Sequence, residues 1–125
     1  MGKRNDDIFE EPTTSESKID LFVQNPAAKP PCLEQLKGPG SPRRIMLTKE
    51  RMVVGRSREV DVFVDSSKVS REHMMLKRTG AETRCLDLKS RNGIYLNGVK
   101  IHSAALREGD TLQLGEAVFL FHEGA

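Results

Sequence analysis

Three short stretches in the second half of the chain place guanidinium, hydroxyl and carboxamide side chains beside glycine. They are Gly55-Arg56, Ser70-Arg71-Glu72-His73 and Ser90-Arg91-Asn92-Gly93, and Leu96-Asn97-Gly98 follows them. These residue types suit the capture of a phosphate monoester. Guanidinium supplies charge, hydroxyl and amide groups supply directed hydrogen bonds, and glycine lets backbone approach closely. Taken singly, each stretch is ordinary. An isolated arginine usually faces solvent, Ser-Arg is a polar turn, and Asn-Gly is turn chemistry. His73 has no second His or Cys at a spacing suited to a metal, and His102 and His122 have no partner motif. The weight lies in the conjunction and its order.

Short apolar runs separate these stretches and must position them. Arg44–Thr48 and Arg51–Val54, parted by Lys49-Glu50, predict a hairpin. Val62–Val64 and Met74–Arg78 follow, and Thr79-Gly80-Ala81 turns the chain into Thr83–Leu88. Ile94–Leu96 and Val99–Ile101 flank Asn97-Gly98, a two-residue hairpin turn in which both residues tolerate positive φ. Thr111–Leu114 and Ala117–Phe121 close the chain. Many short strands without a long helix predict an all-β sandwich, whose loops gather at its ends, where function usually sits. Upstream, residues 1–18 are polar, acidic and aperiodic, and are expected to be disordered. Ile19, Leu21, Phe22 and Val23 make an apolar island that either docks on the body or is linker. Pro26, Pro30, Pro31, Pro39 and Pro42 then punctuate the chain. Pro31–Lys37 is expected to form one helical turn, with Leu33 and Leu36 on one face and Gly38 ending it. The organisation read from sequence is a flexible tail and linker over 1–42 and a domain over 43–125.

In order and spacing, these motifs resemble the forkhead-associated (FHA) domain over roughly residues 43–124. The resemblance implies an FHA-type β-sandwich of two mostly antiparallel sheets that binds phosphothreonine in signal transduction. It implies that Arg56 contacts the phosphate, that the Ser70 hydroxyl donates to a phosphate oxygen, and that Arg71 is a second phosphate contact. Asn92 would hydrogen-bond the ligand backbone, with Lys68 near the ligand. Gly55, His73 and Gly93 would support the loops from beneath. Arg91 departs from the threonine more common before Asn-Gly. It is grouped with the phosphate-binding residues, and either alters preference for flanking residues or faces solvent.

The resemblance also raises a larger parent protein, such as an FHA–GGDEF diguanylate cyclase with this chain as its sensory part. A third reading is a structural FHA-like module without phosphate binding, against which intact Arg56, Ser70, Arg71 and Asn92 argue. No catalytic residues are expected in this chain, since P-loop glycines, metal-ligand clusters and nucleophile–base patterns are missing from the sequence. The expected partners are a phosphothreonine-containing protein and an upstream Ser/Thr kinase. FHA modules are sometimes gated by their own tails. Glu10-Glu11-Pro12-Thr13-Thr14-Ser15-Glu16 offers threonines in an acidic stretch, so Thr13 and Thr14 are candidate phosphosites and the tail a candidate ligand.

Whole-chain properties narrow the classes further. The 125 residues carry 20 basic and 18 acidic groups, net +2, too even for a general nucleic-acid binder. No apolar run approaches a bilayer span, and none follows Met1-Gly2-Lys3-Arg4, as a secretory signal would need. A cytoplasmic location without membrane contact is the expectation. Cys32 and Cys85 lack metal-ligand spacing and read as free thiols in a reducing compartment. No metal or cofactor is expected.

Overall fold

A computed structural model describes residues 29–124. Eleven strands are found in this range, in two sheets. In chain order they are β1 (Cys32–Lys37), β2 (Arg43–Met46), β3 (Arg51–Gly55), β4 (Val62–Phe63), β5 (Met74–Thr79), β6 (Glu82–Asp87), β7 (Ile94–Leu96), β8 (Val99–Ile101), β9 (Ser103–Ala105), β10 (Thr111–Leu114) and β11 (Ala117–His122). One sheet has the order β9-β6-β5-β3-β4 and the other β2-β1-β11-β10-β7-β8. Among the described residues, every pairing is antiparallel except β3 with β4. This is the all-β sandwich that the strand pattern predicts.

The pleat explains the layering. Successive side chains in a strand point to opposite faces. In β5, Met74, Leu76 and Arg78 face inward, and in β11 Ala117, Phe119 and Phe121 do so. Phe119, Phe121, Leu33, Leu47, Met74, Leu76, Ile94, Leu112 and Leu114 are fully buried between the sheets. Turn chemistry closes the hairpins. Gly80, Asn97 and Gly98 adopt φ of 63°, 50° and 86°, which glycine and asparagine tolerate best. Both cysteines are free and buried, and burial pushes the Cys85 thiol up to about 11.

Two local expectations are corrected. Residues Pro31–Lys37 hold strand β1 rather than a helical turn. Leu33 and Gln35 are buried while Glu34 and Leu36 face outward, which is period two. The Leu33/Leu36 spacing mimics a helix face only because Gln35, the real inward neighbour, is polar. Its carboxamide is fully satisfied inside. Gln35 Nε2 donates to the carbonyls of Lys37 and Pro39, and Arg43 Nε donates to Gln35 Oε1 at 2.6 Å. β1 lies between β2 and β11, so the sandwich includes residues ahead of Arg43, inside the stretch read from sequence as linker.

The second correction concerns the Arg44–Thr48/Arg51–Val54 hairpin. β2 and β3 belong to opposite sheets. Between them Leu47 is buried, its N–H donates to the Pro31 carbonyl, and Arg78 Nη1 donates to its carbonyl. The chain thus crosses the core edge instead of folding back.

Candidate functional site

The site begins where β3 ends. β3 and β5 run antiparallel, and their hydrogen bonding continues beyond the ladder into the loops. His73 N–H donates to the Val54 carbonyl, Arg56 N–H to Ser70 (2.9 Å) and Ser57 N–H to Arg71 (3.2 Å). Gly55 makes this approach possible. A Cβ there would lie 2.0 Å from the Arg71 carbonyl oxygen, so any side chain would push the Ser70-Arg71 backbone away. Glycine is therefore demanded by proximity rather than by an unusual dihedral.

His73 is fully buried and ties two loops together. Its Nδ1 accepts from Ser70 N–H at 3.0 Å, and its Nε2 lies 2.8 Å from the Gly93 carbonyl. One tautomer, with the proton on Nε2, satisfies both contacts. The third loop is braced from its own side. Ser90 Oγ bonds to Asp87 Oδ1 and accepts from Gly93 N–H at 2.9 Å. Gly93 itself has φ 81°, a turn a β-branched residue would resist.

Above this frame the polar groups converge. Arg56 Nε donates to the Val69 carbonyl at 3.0 Å, which fixes the guanidinium stem. Ser70 Oγ accepts from Arg91 N–H at 3.0 Å, leaving its own proton to donate. Asn92 Nδ2 donates to the Lys68 carbonyl at 2.8 Å. Arg56, Lys68, Arg71 and Arg91, with Ser67 and Ser70, surround a cavity of ≈ 290 Å³ floored by Val69. Its lining contains no carboxylate. A second cavity, ≈ 400 Å³, adjoins through Lys68 and is lined also by Asn92, Tyr95, Gln113 and Gly115. The first can hold a compact dianion. The second offers amide and aromatic surface to an extended chain.

Of the residues singled out in the sequence, the structure brings Arg56, Lys68, Ser70, Arg71 and Arg91 to one cavity and Asn92 to the next. Gly55, His73 and Gly93 lie beneath them. Thr13 and Thr14 lie outside the described residues. Asn97 serves its turn, donating to Asp110 and accepting from Thr111 N–H. Sequence reasoning missed Ser67, Tyr95, Gln113, Gly115 and the brace Asp87. Tyr95 and Gln113 are cross-strand neighbours on the outer face of their sheet, a pairing only topology reveals. His122 also proves to have partners, Glu108 on Nδ1 at 3.0 Å and Glu34 on Nε2 at 3.1 Å, and none of the three lines either cavity. Both carboxylates raise its pKa above the ordinary histidine value. Among the described residues, no group of His, Cys, Asp or Glu is arranged to hold a metal ion, and no helix is long and apolar enough to cross a membrane.

A two-sheet domain with a cationic, carboxylate-free cavity at its loop end belongs to the class of small anion-reading β-sandwiches. Residues 52–115 match the FHA domain family, and the chain belongs to that family, whose members bind phosphothreonine. Over 89 residues the chain is 34% identical to an oxoglutarate dehydrogenase inhibitor of Corynebacterium jeikeium, covering 71% of this chain and 62% of that protein. It is 34% identical over 88 residues to the glycogen accumulation regulator GarA of Mycolicibacterium smegmatis, covering 70% and 56%. The chain thus spans about six-tenths of the length of these relatives. Among solved structures, the FhaA FHA domain, complexed with the intracellular domain of another protein, superposes with a TM-score of 0.67 at 25% identity. That match covers 74% of this chain and 99% of the other.

Proposed function

We propose that Arg56, Ser70 and Arg71 hold the phosphate of a phosphothreonine, while Lys68 and Asn92 take the peptide beside it. The observation that carries this reading is the convergence of three arginines, a lysine and a free hydroxyl proton on one small cavity without a carboxylate. Such a cavity favours a group bearing close to two negative charges and three acceptor oxygens. The adjoining cavity extends the groove, so a peptide is a better fit than a free phosphate.

The ligand proposed is a phosphorylated protein segment made by a Ser/Thr kinase in the cytoplasm, with the chain's own tail as one source. About 18 residues separate Thr14 from Cys32, and a random coil of that length has an end-to-end distance of about 20–25 Å, comparable to the domain itself. Tethering gives an effective concentration on the order of millimolar, enough to fill a weak site. The similar chains are named as an enzyme inhibitor and an accumulation regulator. Those names favour a switchable regulator over the sensory part of a diguanylate cyclase.

Calorimetric titration of the full chain with a peptide spanning Asp6 to Ile19 tests this. The peptide is used unmodified, phosphorylated at Thr13, and phosphorylated at Thr14. Binding of a phosphorylated form alone, lost in Arg56→Ala, is the expected result. Binding of unrelated phosphothreonine peptides but not of these would remove the tail and keep the site. Failure of every phosphothreonine peptide would overturn the reading.

A further inference from the structure

The cavity holds more positive charge than one phosphothreonine neutralises. Arg56, Lys68, Arg71 and Arg91 line it. Among the described residues, none of the four pairs with a carboxylate. Four cations against close to two negative charges leave about two uncompensated, and unrelieved like charges around a small cavity repel one another.

Geometry separates Arg91 from the rest. Lys68 and Arg71 share the loop between β4 and β5, and Arg56 is anchored on Val69 of that loop. Arg91 enters from the opposite loop. Its N–H engages the Ser70 hydroxyl oxygen, which pins its backbone to the cavity rim while the side chain stays exposed. The next residue, Asn92, lines the adjoining cavity instead. Arg91 therefore stands where a ligand passes from its phosphorylated side chain to its neighbours.

We propose that Arg91 is a specificity-determining residue whose guanidinium takes an anionic group on a residue flanking the phosphothreonine, either a carboxylate or a second phosphate. The inference rests on the phosphothreonine reading of the cavity. The chain's own Glu10–Glu16 segment, with adjacent threonines among glutamates, has the composition such a residue selects.

The test uses the full chain and three phosphothreonine peptides, followed by fluorescence anisotropy at low salt. One has alanine on both flanks, one glutamate on both flanks, and one a second phosphothreonine beside the first. The native protein is expected to prefer the acidic peptides by about tenfold over the alanine peptide, the scale of one close charge pair. Arg91→Gln should collapse that ratio towards one, and Arg91→Lys should restore part of it. A preference for the doubly phosphorylated peptide alone identifies phosphate as the flanking anion, and a preference for both admits carboxylate. Equal weakening of all three peptides by Arg91→Gln would make Arg91 a plain phosphate contact and overturn the inference, leaving the site intact. No binding of any peptide by the native protein would overturn the site and the inference together.

Discussion

Arg43 and Arg78 lie against the core, whereas Arg56, Arg71 and Arg91 ring a cavity at one end of the sandwich. The inner pair gives its donors to the protein. Arg43 spans the two sheets, from Gln35 Oε1 on one side to the Phe63 carbonyl on the other, both at 2.6 Å. Arg78 donates to the Leu47 carbonyl, where the chain crosses between sheets. Burial lowers the pKa of both, yet arginine remains charged. Among the described residues, the outer three leave most of their donors without a partner in the fold. Among the described residues, only the Arg56 Nε contact to Val69 ties a site guanidinium down, and it acts as an aiming device. The same side chain is thus a structural clamp in one region and, in the function proposed above, a ligand contact in another. What separates the two uses is where the contacts reach: the inner pair ties distant parts of the sandwich together, whereas the Arg56 contact stays within the loops of the site.

The sharpest way to break this contrast is to remove the clamp's scaffold. A chain starting at Gly38 loses β1, and with it buried Leu33 and Gln35 and both ladders that β1 makes. It is expected to show no cooperative thermal transition, which circular dichroism would report. Next comes Arg78→Ala, which strands the buried Leu47 carbonyl. A loss of roughly 2–4 kcal/mol in urea unfolding is expected, with phosphopeptide affinity of the folded fraction retained. Gly55→Ala falls between the two regions. The displaced Ser70-Arg71 backbone should cost about 1–3 kcal/mol of stability, and titration should show phosphopeptide binding lost as well. Arg56→Ala is the mirror image of Arg78→Ala. It should cost roughly 1.5–3 kcal/mol in binding and under about 0.5 kcal/mol in folding. An unfolded Arg56→Ala with normal affinity would abolish the distinction.

The smallest effect concerns His122. Glu34 and Glu108 raise its pKa, so the folded state holds the proton more tightly than the unfolded chain does. That contribution is fully present below the ordinary histidine pKa of about 6.5 and fades as pH rises through the raised folded value. His122→Gln should remove this step from a stability–pH profile, and added salt should shrink it, because the cluster is partly exposed.

The loops of the site were legible because each carries its chemistry within a few consecutive residues. Gly55-Arg56, Ser70-Arg71 and Arg91-Asn92 announce donors and tight turns without reference to distant partners. Strands β5 to β8, β10 and β11 were legible for a related reason, since alternation and Gly or Asn-Gly turns are local. β1 was not. Its inward residues are one leucine and one glutamine, and the glutamine is tolerable inside only because Arg43 and two carbonyls meet it. The false hairpin failed likewise. Which sheet receives a strand depends on pairings such as Cys32 with His122, made across nearly the whole domain. Tyr95 and Gln113 meet through the same kind of long-range register.

β1 has a mechanical consequence. The chain ahead of Cys32 feeds directly into a strand gripped on both sides, by β2 and by β11. Tension applied along the strand axis must shear both ladders together rather than peel one open from its end. Forced opening is governed by the unfolding rate rather than by equilibrium stability. A pull along that axis is therefore borne by the β1 ladders before it reaches the loops around the cavity.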